Sequence, residues 1–315
     1  MTASVRTPVP VARARTLGLV ALAIAILCFS LGSTMVKKAA LPGPTIAFYR
    51  MLATTSVWWL ILWATERRTI SWADLRRTLV PGIAFGVNLV CFFTGVTKTT
   101  VANAEFVGSL TPIITVPAGA FLFREHINRK ALWFGLVSLA GLMLVLFNAP
   151  PRGDASWAGN GIVGCAALLW ATYLLSSRRL RNEMSVQSIM ASVMTTATLT
   201  LLPIALFTHR LDDLTVHSLP YLALLTVVTG TVAHGFIVFS QRTVPVGTIS
   251  ILQVAQPAIA VCWAYLLLDQ GIRAIQVLGM ALVIGGLLAV VLVTRRTAGK
   301  AAETLEPIGP ATMCD

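Results

Sequence analysis

Ten nearly uncharged runs of roughly 20 residues dominate this chain, and they decide what it can fold into. They lie near 17–36, 44–65, 79–97, 101–123, 131–148, 158–177, 184–207, 219–240, 245–268 and 275–294. Wound as a helix, a run of that length matches the hydrocarbon thickness of a bilayer. With 315 residues, 56% of them hydrophobic and 11% charged, and a mean hydropathy of +0.80, a soluble core would leave much apolar surface in water. The runs are continuous and lack the alternation of barrel strands, so helices are the structure that satisfies their backbone in lipid.

The runs fall into two sets of five related by duplication. Residues 101–127 and 246–272, offset by 145, align without a gap and bring Pro112 onto Pro257. Only 6 of those 27 aligned positions are identical, so the likeness is one of pattern, as is usual for the internal symmetry of membrane transporters. Each stretch is followed by a run with glycines at the same interval, Gly135 and Gly141 in the first half, Gly279 and Gly285 in the second.

A formal charge of +12 raises the question of nucleic acid, but the basic residues sit at run ends and are not interleaved with aromatics on a soluble face. Membrane orientation accounts for them better. With the N-terminus in the cytosol, 17 of the 24 Lys and Arg fall on the cytosolic side and 6 on the other, with Arg50 left inside a helix. Both termini are then cytosolic, and five runs per half turn the second half upside down relative to the first. The expected fold is therefore all-α and integral to the membrane, with ten transmembrane helices as two inverted five-helix repeats. The expected organisation is a cytosolic tail 1–16, a first repeat 17–149, a linker 150–157, a second repeat 158–296 and a cytosolic tail 297–315.

Other classes find little support. The first run follows Arg13 and Arg15 but is long enough to span and has no A-x-A-like cleavage site before Lys37 and Lys38, so it reads as a helix, not a leader. Four of the five cysteines lie inside runs and none forms C-x-x-C, which implies packing residues and no zinc site. His209 and His217, in a polar loop with Asp212 and Asp213, read as solvated. The G-x-G-x-x-G from Gly159 to Gly164 follows no strand and reads as close helix packing, like the Gly82 and Gly86 pair. No phosphate-binding loop, G-x-S-x-G or H-E-x-x-H is present, so neither an ATPase nor a hydrolase is expected, and no cofactor or metal.

The chain resembles the drug/metabolite transporter superfamily, in its ten-helix form built from two EamA domains. The resemblance is carried by Ala47-Phe48-Tyr49-Arg50, by residues 102–125 around Pro112, by the glycine-spaced fifth run, and by their weaker echoes in the second half. The second half departs at Asp269-Gln270, where a terminal Gly-Glu is usual, and at Met190-Ala191, near where an arginine could have stood. The resemblance implies a secondary transporter of the bacterial cytoplasmic membrane, most often exporting amino acids or other small metabolites. Its expected partners are such a metabolite, protons as coupling ion, and the bilayer. Uptake, flipping of a lipid-linked headgroup, and a non-transporting assembly or receptor role are the alternatives.

Charged and polar groups at membrane depth are the candidate site residues, because lipid tolerates them only when paired or facing a cavity. Arg50 and Glu105 stand at similar depths in the second and fourth runs and are expected either to act in transport, as an outer latch or a proton or amine site, or to form a static pair. Pro112 and Pro257 each remove a backbone hydrogen bond, so the fourth and ninth runs should kink around the freed carbonyls of Gly108 and Gln253. Helical spacing puts Thr111 on the face of Glu105, and Gln253 and Gln256 on that of Ser250, either lining a polar cavity or bonding neighbouring helices. His234 is a candidate titrating group, and Trp170, Tyr173 and Asn88 are candidate cavity walls. Trp58, Trp59 and Trp63 read as lipid-facing or interfacial, and Glu125 and Asp269 as solvated helix ends.

Overall fold

The structure, a computed structural model, describes residues 11–98, 101–125, 128–148, 156–208, 214–268 and 272–303. His209, Asp212, Asp213, the Asp269-Gln270 pair, most of the linker and most of both tails lie outside the described residues.

Among the described residues, ten helical units build the bundle. They are α1 (Val11–Ser30, continued by Gly32–Ala39), α2 (Gly43–Glu66), α3 (Leu79–Lys98), α4 (Val101–Gly108, then Pro112–Phe123) and α5 (Arg129–Phe147). The second half supplies α6 (Trp157–Leu180), α7 (Val186–Phe207), α8 (Leu219–Leu224, Leu225–Ala233 and His234–Ser240), α9 (Val246–Leu252, then Ala255–Leu268) and α10 (Ala274–Glu303). Among the described residues, nine spans are long and apolar enough to cross a membrane, and Leu79–Gly95 is a shorter apolar helix.

Pairing between the halves follows a pseudo-two-fold pattern. α1 packs on α8 and α6 on α3, which are the same pair seen from the two repeats, while α2 meets α7, α4 meets α9 and α5 meets α10. Small residues permit these approaches, because helices in lipid associate through close van der Waals fit. A Cβ on Gly141 would lie 2.8 Å from the Gly279 carbonyl oxygen, and one on Gly279 would lie 2.6 Å from that of Gly141, so the two glycines face each other at the α5–α10 crossing. Gly82 and Gly86 do the same for α3 against Thr196 and Ala197 of α7. In α10 the neighbour of the expected glycine is the one used: nothing lies within 4 Å of a Cβ on Gly285, whereas one on Gly286 would strike Ser138. Of the α6 glycines, Gly159 lies against Gly95 of α3, while Gly161 faces open space.

Two interior features differ from the sequence expectation. Trp58 is buried, with its ring against Gly235 and its indole N–H donating to the Gly230 carbonyl at 3.4 Å. Its neighbours Trp59 and Trp63 are exposed on the outside of the bundle. A continuous apolar helix gives no period to say which tryptophan turns inward. The second feature is the π-helical stretch Leu225–Ala233 in α8, a geometry that widens a helix and recurs at functional sites.

At the end of the bundle formed by the α2 C-terminus and the α7 N-terminus, a polar network ties the halves together. Ser185 and Ser188 donate to Glu66, and Arg68 donates to Glu66, to Asp74 at 2.7 Å and to Ser188. Ser71 and Asp74 form a reciprocal capping box at the start of the short helix Trp72–Arg77. Partial burial pushes the Asp74 carboxyl up, but hydrogen bonds from Arg68 and Ser71 outweigh it and hold the group below the ordinary carboxylate range.

Candidate functional site

A cavity of about 220 Å³ lies between the halves, lined among the described residues by α1, α2, α3, α4, α6, α8 and α9 and by none of α5, α7 or α10. Both broken helices meet in it. The α4 break spans Ser109 to Thr111 ahead of Pro112, and the α9 break spans Gln253 and Val254 ahead of Pro257.

The freed carbonyls are not open acceptors, and this corrects the sequence reading. The Gly108 carbonyl accepts from the Thr111 hydroxyl at 2.8 Å, and the Gln253 carbonyl accepts from the Gln256 N–H at 2.9 Å. Each break tightens locally into i to i+3 hydrogen bonds, which re-satisfy groups that lipid cannot.

The cavity gathers most of the candidate residues: Arg50, Asn88, Glu105, Thr111, Trp170, His234, Gln253 and Gln256, with Pro112 and Pro257 in its wall. Asn88 also donates to the Ala166 carbonyl at 2.7 Å, so it both lines the site and joins α3 to α6. Arg50 is only 6% exposed, and its Nε has no hydrogen-bond partner. Arg50 takes part in none of the ion pairs among the described residues; those join Arg68 to Glu66 and Asp74, and Arg178 to Glu125. Arg50 and Glu105 thus share a cavity without forming the expected salt bridge. Buried Oε1 of Gln253 likewise lacks a partner.

His234 sits in an aromatic cage. Its ring centroid is 4.7 Å from Phe29, 4.6 Å from Phe85 and 5.8 Å from Trp170, in edge-to-face arrangements. Tyr173 stands behind this cage and does not reach the cavity. It is fully buried, with its hydroxyl oxygen 3.5 Å from His234 Nδ1. Its place is that of a support for His234 and for Trp170, whose ring centroid lies 5.1 Å from its own.

Sequence reasoning missed Phe29 and Phe85. A signal existed for Phe29: it precedes Trp170 by 141 residues, the interval that also separates Gly18 from Gly159 and Lys38 from Arg179. That register makes the two aromatics counterparts in the first helices of the two repeats.

The cavity ends at a seal between the C-terminal part of α4 and the start of α9. The hydroxyl of Thr115 shares a hydrogen bond with that of Ser250, which stands in the cavity wall. Beyond it, Gly119 approaches Gly247, and Arg124, at φ 53°, turns the chain so that Glu125 folds back onto the α9 N-terminus. Glu125 accepts from the Val246 N–H at 3.1 Å and the Gly247 N–H at 3.4 Å, and lies 3.6 Å from Arg178 Nε. Its side chain is 7% exposed, so the reading of Glu125 as a solvated helix end is overturned. The amides of a helix start and an arginine attract a carboxylate there, which a sequence with no visible partner for α4 could not reveal.

Among the described residues, no group of three or more His, Cys, Asp or Glu is placed to hold a metal, and four cysteines are free thiols. His217 stacks edge-on against Tyr221.

Known proteins share this architecture. A solved crystal structure superposes with a TM-score of 0.75 at 21% identity, covering 90% of this chain and 98% of its own, a likeness that carries the fold alone. Similar curated proteins include the pseudopaline exporter CntI of Pseudomonas aeruginosa, 24% identical over 156 residues, 49% of this chain and 54% of that one. The transporter YetK of Bacillus subtilis is 29% identical over 213 residues, 64% of this chain and 63% of its own. A "Probable amino-acid metabolite efflux pump" of Escherichia coli is 24% identical over 197 residues, 58% of this chain and 65% of its own. The chain thus spans between about half and two thirds of the length of these relatives. The sequence model of the EamA-like transporter family matches residues 16–147 and again 157–292, so this multi-pass membrane protein belongs to the EamA-like transporter family.

Proposed function

We propose that the protein exports a small metabolite across a bacterial cytoplasmic membrane by alternating access, with both termini in the cytosol. The observation that carries this reading is the cavity between two inverted repeats, sealed at one end by α4 against α9. An alternating-access carrier needs a site at the repeat interface and a closure that one rigid half can release from the other. The basic bias in the sequence supports a cytosolic Glu125 end, and the α4–α9 seal is then the closure on the cytosolic side. The direction of transport rests on the exporter and efflux names of the relatives. Glu105 and His234 are the ionisable cavity groups that can exchange a coupling proton, and Arg50, Gln253, Gln256, Trp170, Asn88 and Thr111 form the remaining contacts for the cargo.

Counterflow in proteoliposomes tests the proposal. Vesicles preloaded with a mixture of unlabelled metabolites should accumulate a labelled member of that mixture transiently, and widening the mixture identifies the cargo. Absence of counterflow for every class of metabolite tried, with correctly folded protein, would refute transport.

A further inference from the structure

The cavity is lined by a cation, Arg50, that forms no ion pair among the described residues. Arg50 is more than nine-tenths buried, and its Nε has no hydrogen-bond partner. An arginine keeps its charge under all ordinary conditions, so it cannot escape this cost by losing a proton. Glu105 lines the same cavity but is already engaged in an interaction of its own. A buried, unpaired guanidinium beside an open volume is a donor fork awaiting an acceptor, and its planar geometry suits a carboxylate held by two parallel N–H bonds.

The rest of the cavity fixes what the carboxylate is attached to. Phe29, Phe85 and Trp170 line it with aromatic surface, and their edges and faces favour a flat or apolar body. From these features we infer that the cargo is an amphipathic carboxylate, its acid group clamped by Arg50 and its apolar body set against this aromatic wall. The inference deepens the transport proposal and rests on the same site. It predicts that the anion alone suffices for recognition and that no amine is required.

An isosteric series isolates the charge: 3-phenylpropanoate, 3-phenylpropanamide and 3-phenylpropylamine, titrated calorimetrically into the full chain in lipid nanodiscs. Wild type should bind the acid at least about tenfold more tightly than the amide or amine, since a site built around an ionic contact rejects analogues lacking it. Arg50→Gln should bring the acid to the level of the amide, and Arg50→Lys, which keeps the charge but not the fork, should fall between them. Retention of monodispersity by Arg50→Lys keeps the test valid even if Arg50→Gln fails to fold. Equal affinity of wild type for acid and amide, no binding of the acid at millimolar concentration, or an undiminished preference in either folded Arg50 variant would overturn the inference. Counterflow with the same three compounds separates the two proposals. Acid binding without counterflow would retain the site and defeat transport, whereas counterflow of the amine or amide but not of the acid would retain transport and overturn the carboxylate site.

Discussion

Removing the carboxylate at residue 125 should unlock one end of the bundle. Glu125 caps the α9 N-terminus through the Val246 and Gly247 amides and lies 3.6 Å from Arg178. Losing an N-terminal cap costs about 1 kcal/mol. Losing the negative charge at a helix N-terminus adds roughly 0.5 kcal/mol. Arg178, 19% exposed, is left partly buried without its partner, and because water still reaches it the added cost is about 1 kcal/mol, well short of a fully buried pair. The sum, about 2–3 kcal/mol, corresponds to a shift of roughly 30- to 140-fold between the sealed and opened states. Thr115 stands within the seal, hydrogen-bonded to Ser250, and is fully buried. In a cysteine-free background, Thr115→Cys should therefore react with an aqueous maleimide at a rate that rises by about that factor when Glu125→Ala is added. Glu125→Gln, which keeps an acceptor for one amide, should give a smaller rise. If Glu125→Ala left the labelling rate within about threefold of its parent, corresponding to less than 1 kcal/mol, Glu125 would not be part of the closure.

Other expectations follow from the packing and the polar network. Gly279→Ala places a Cβ 2.6 Å from the Gly141 carbonyl oxygen, which must drive α5 and α10 apart; the thermal midpoint in detergent should fall by the equivalent of about 1–3 kcal/mol, whereas Gly285→Ala, which meets open space, should leave it unchanged. Asn88→Ala removes the hydrogen bond to Ala166 and should lower stability by about 1 kcal/mol in the same assay, with an unaltered midpoint counting against the contact. Asp74 is held below its unfolded carboxylate range, so its contribution is present above the unfolded pKa and is lost as pH falls through the lower folded value. Wild type should therefore lose stability across the acid range below about pH 4 more steeply than Asp74→Asn, and parallel acid melts of the two would refute the linkage.

The helices and their breaks were legible because both follow from strong local rules: a bilayer demands long apolar runs, and a proline removes a backbone donor wherever it stands. What a side chain faces was far less legible. Lipid and protein interior are equally apolar here, so a continuous hydrophobic helix carries no stripe to distinguish them. Trp58 and Trp59 are adjacent and chemically identical, yet one packs on Gly235 and the other is exposed. Gly285 and Gly286 pose the same problem at the α5–α10 crossing, where one residue of register decides which glycine meets Ser138. Polar groups were visible as expensive, but their partners were not. Arg50 looked ready to pair with Glu105 and has no such bond, while Glu125, which looked solvated, is capped against a helix from the other repeat. Those outcomes depend on contacts about 120 residues apart in sequence, such as that between Glu125 and Val246, which only the assembled fold brings together.

Whether the cavity carries an exported cargo is decided by the extracellular metabolite profile of cells overproducing the wild-type chain, compared with cells making Gly108→Trp at equal abundance. Gly108 lines the cavity, and the nearest side-chain atom to a Cβ there is 3.8 Å away, so a tryptophan can project into the open volume and obstruct it. Export through the cavity should leave a small compound enriched outside cells only with the wild type, and an amphipathic carboxylate if Arg50 acts as inferred. Equal profiles in the two strains, with both proteins folded in the membrane, would contradict export through this cavity.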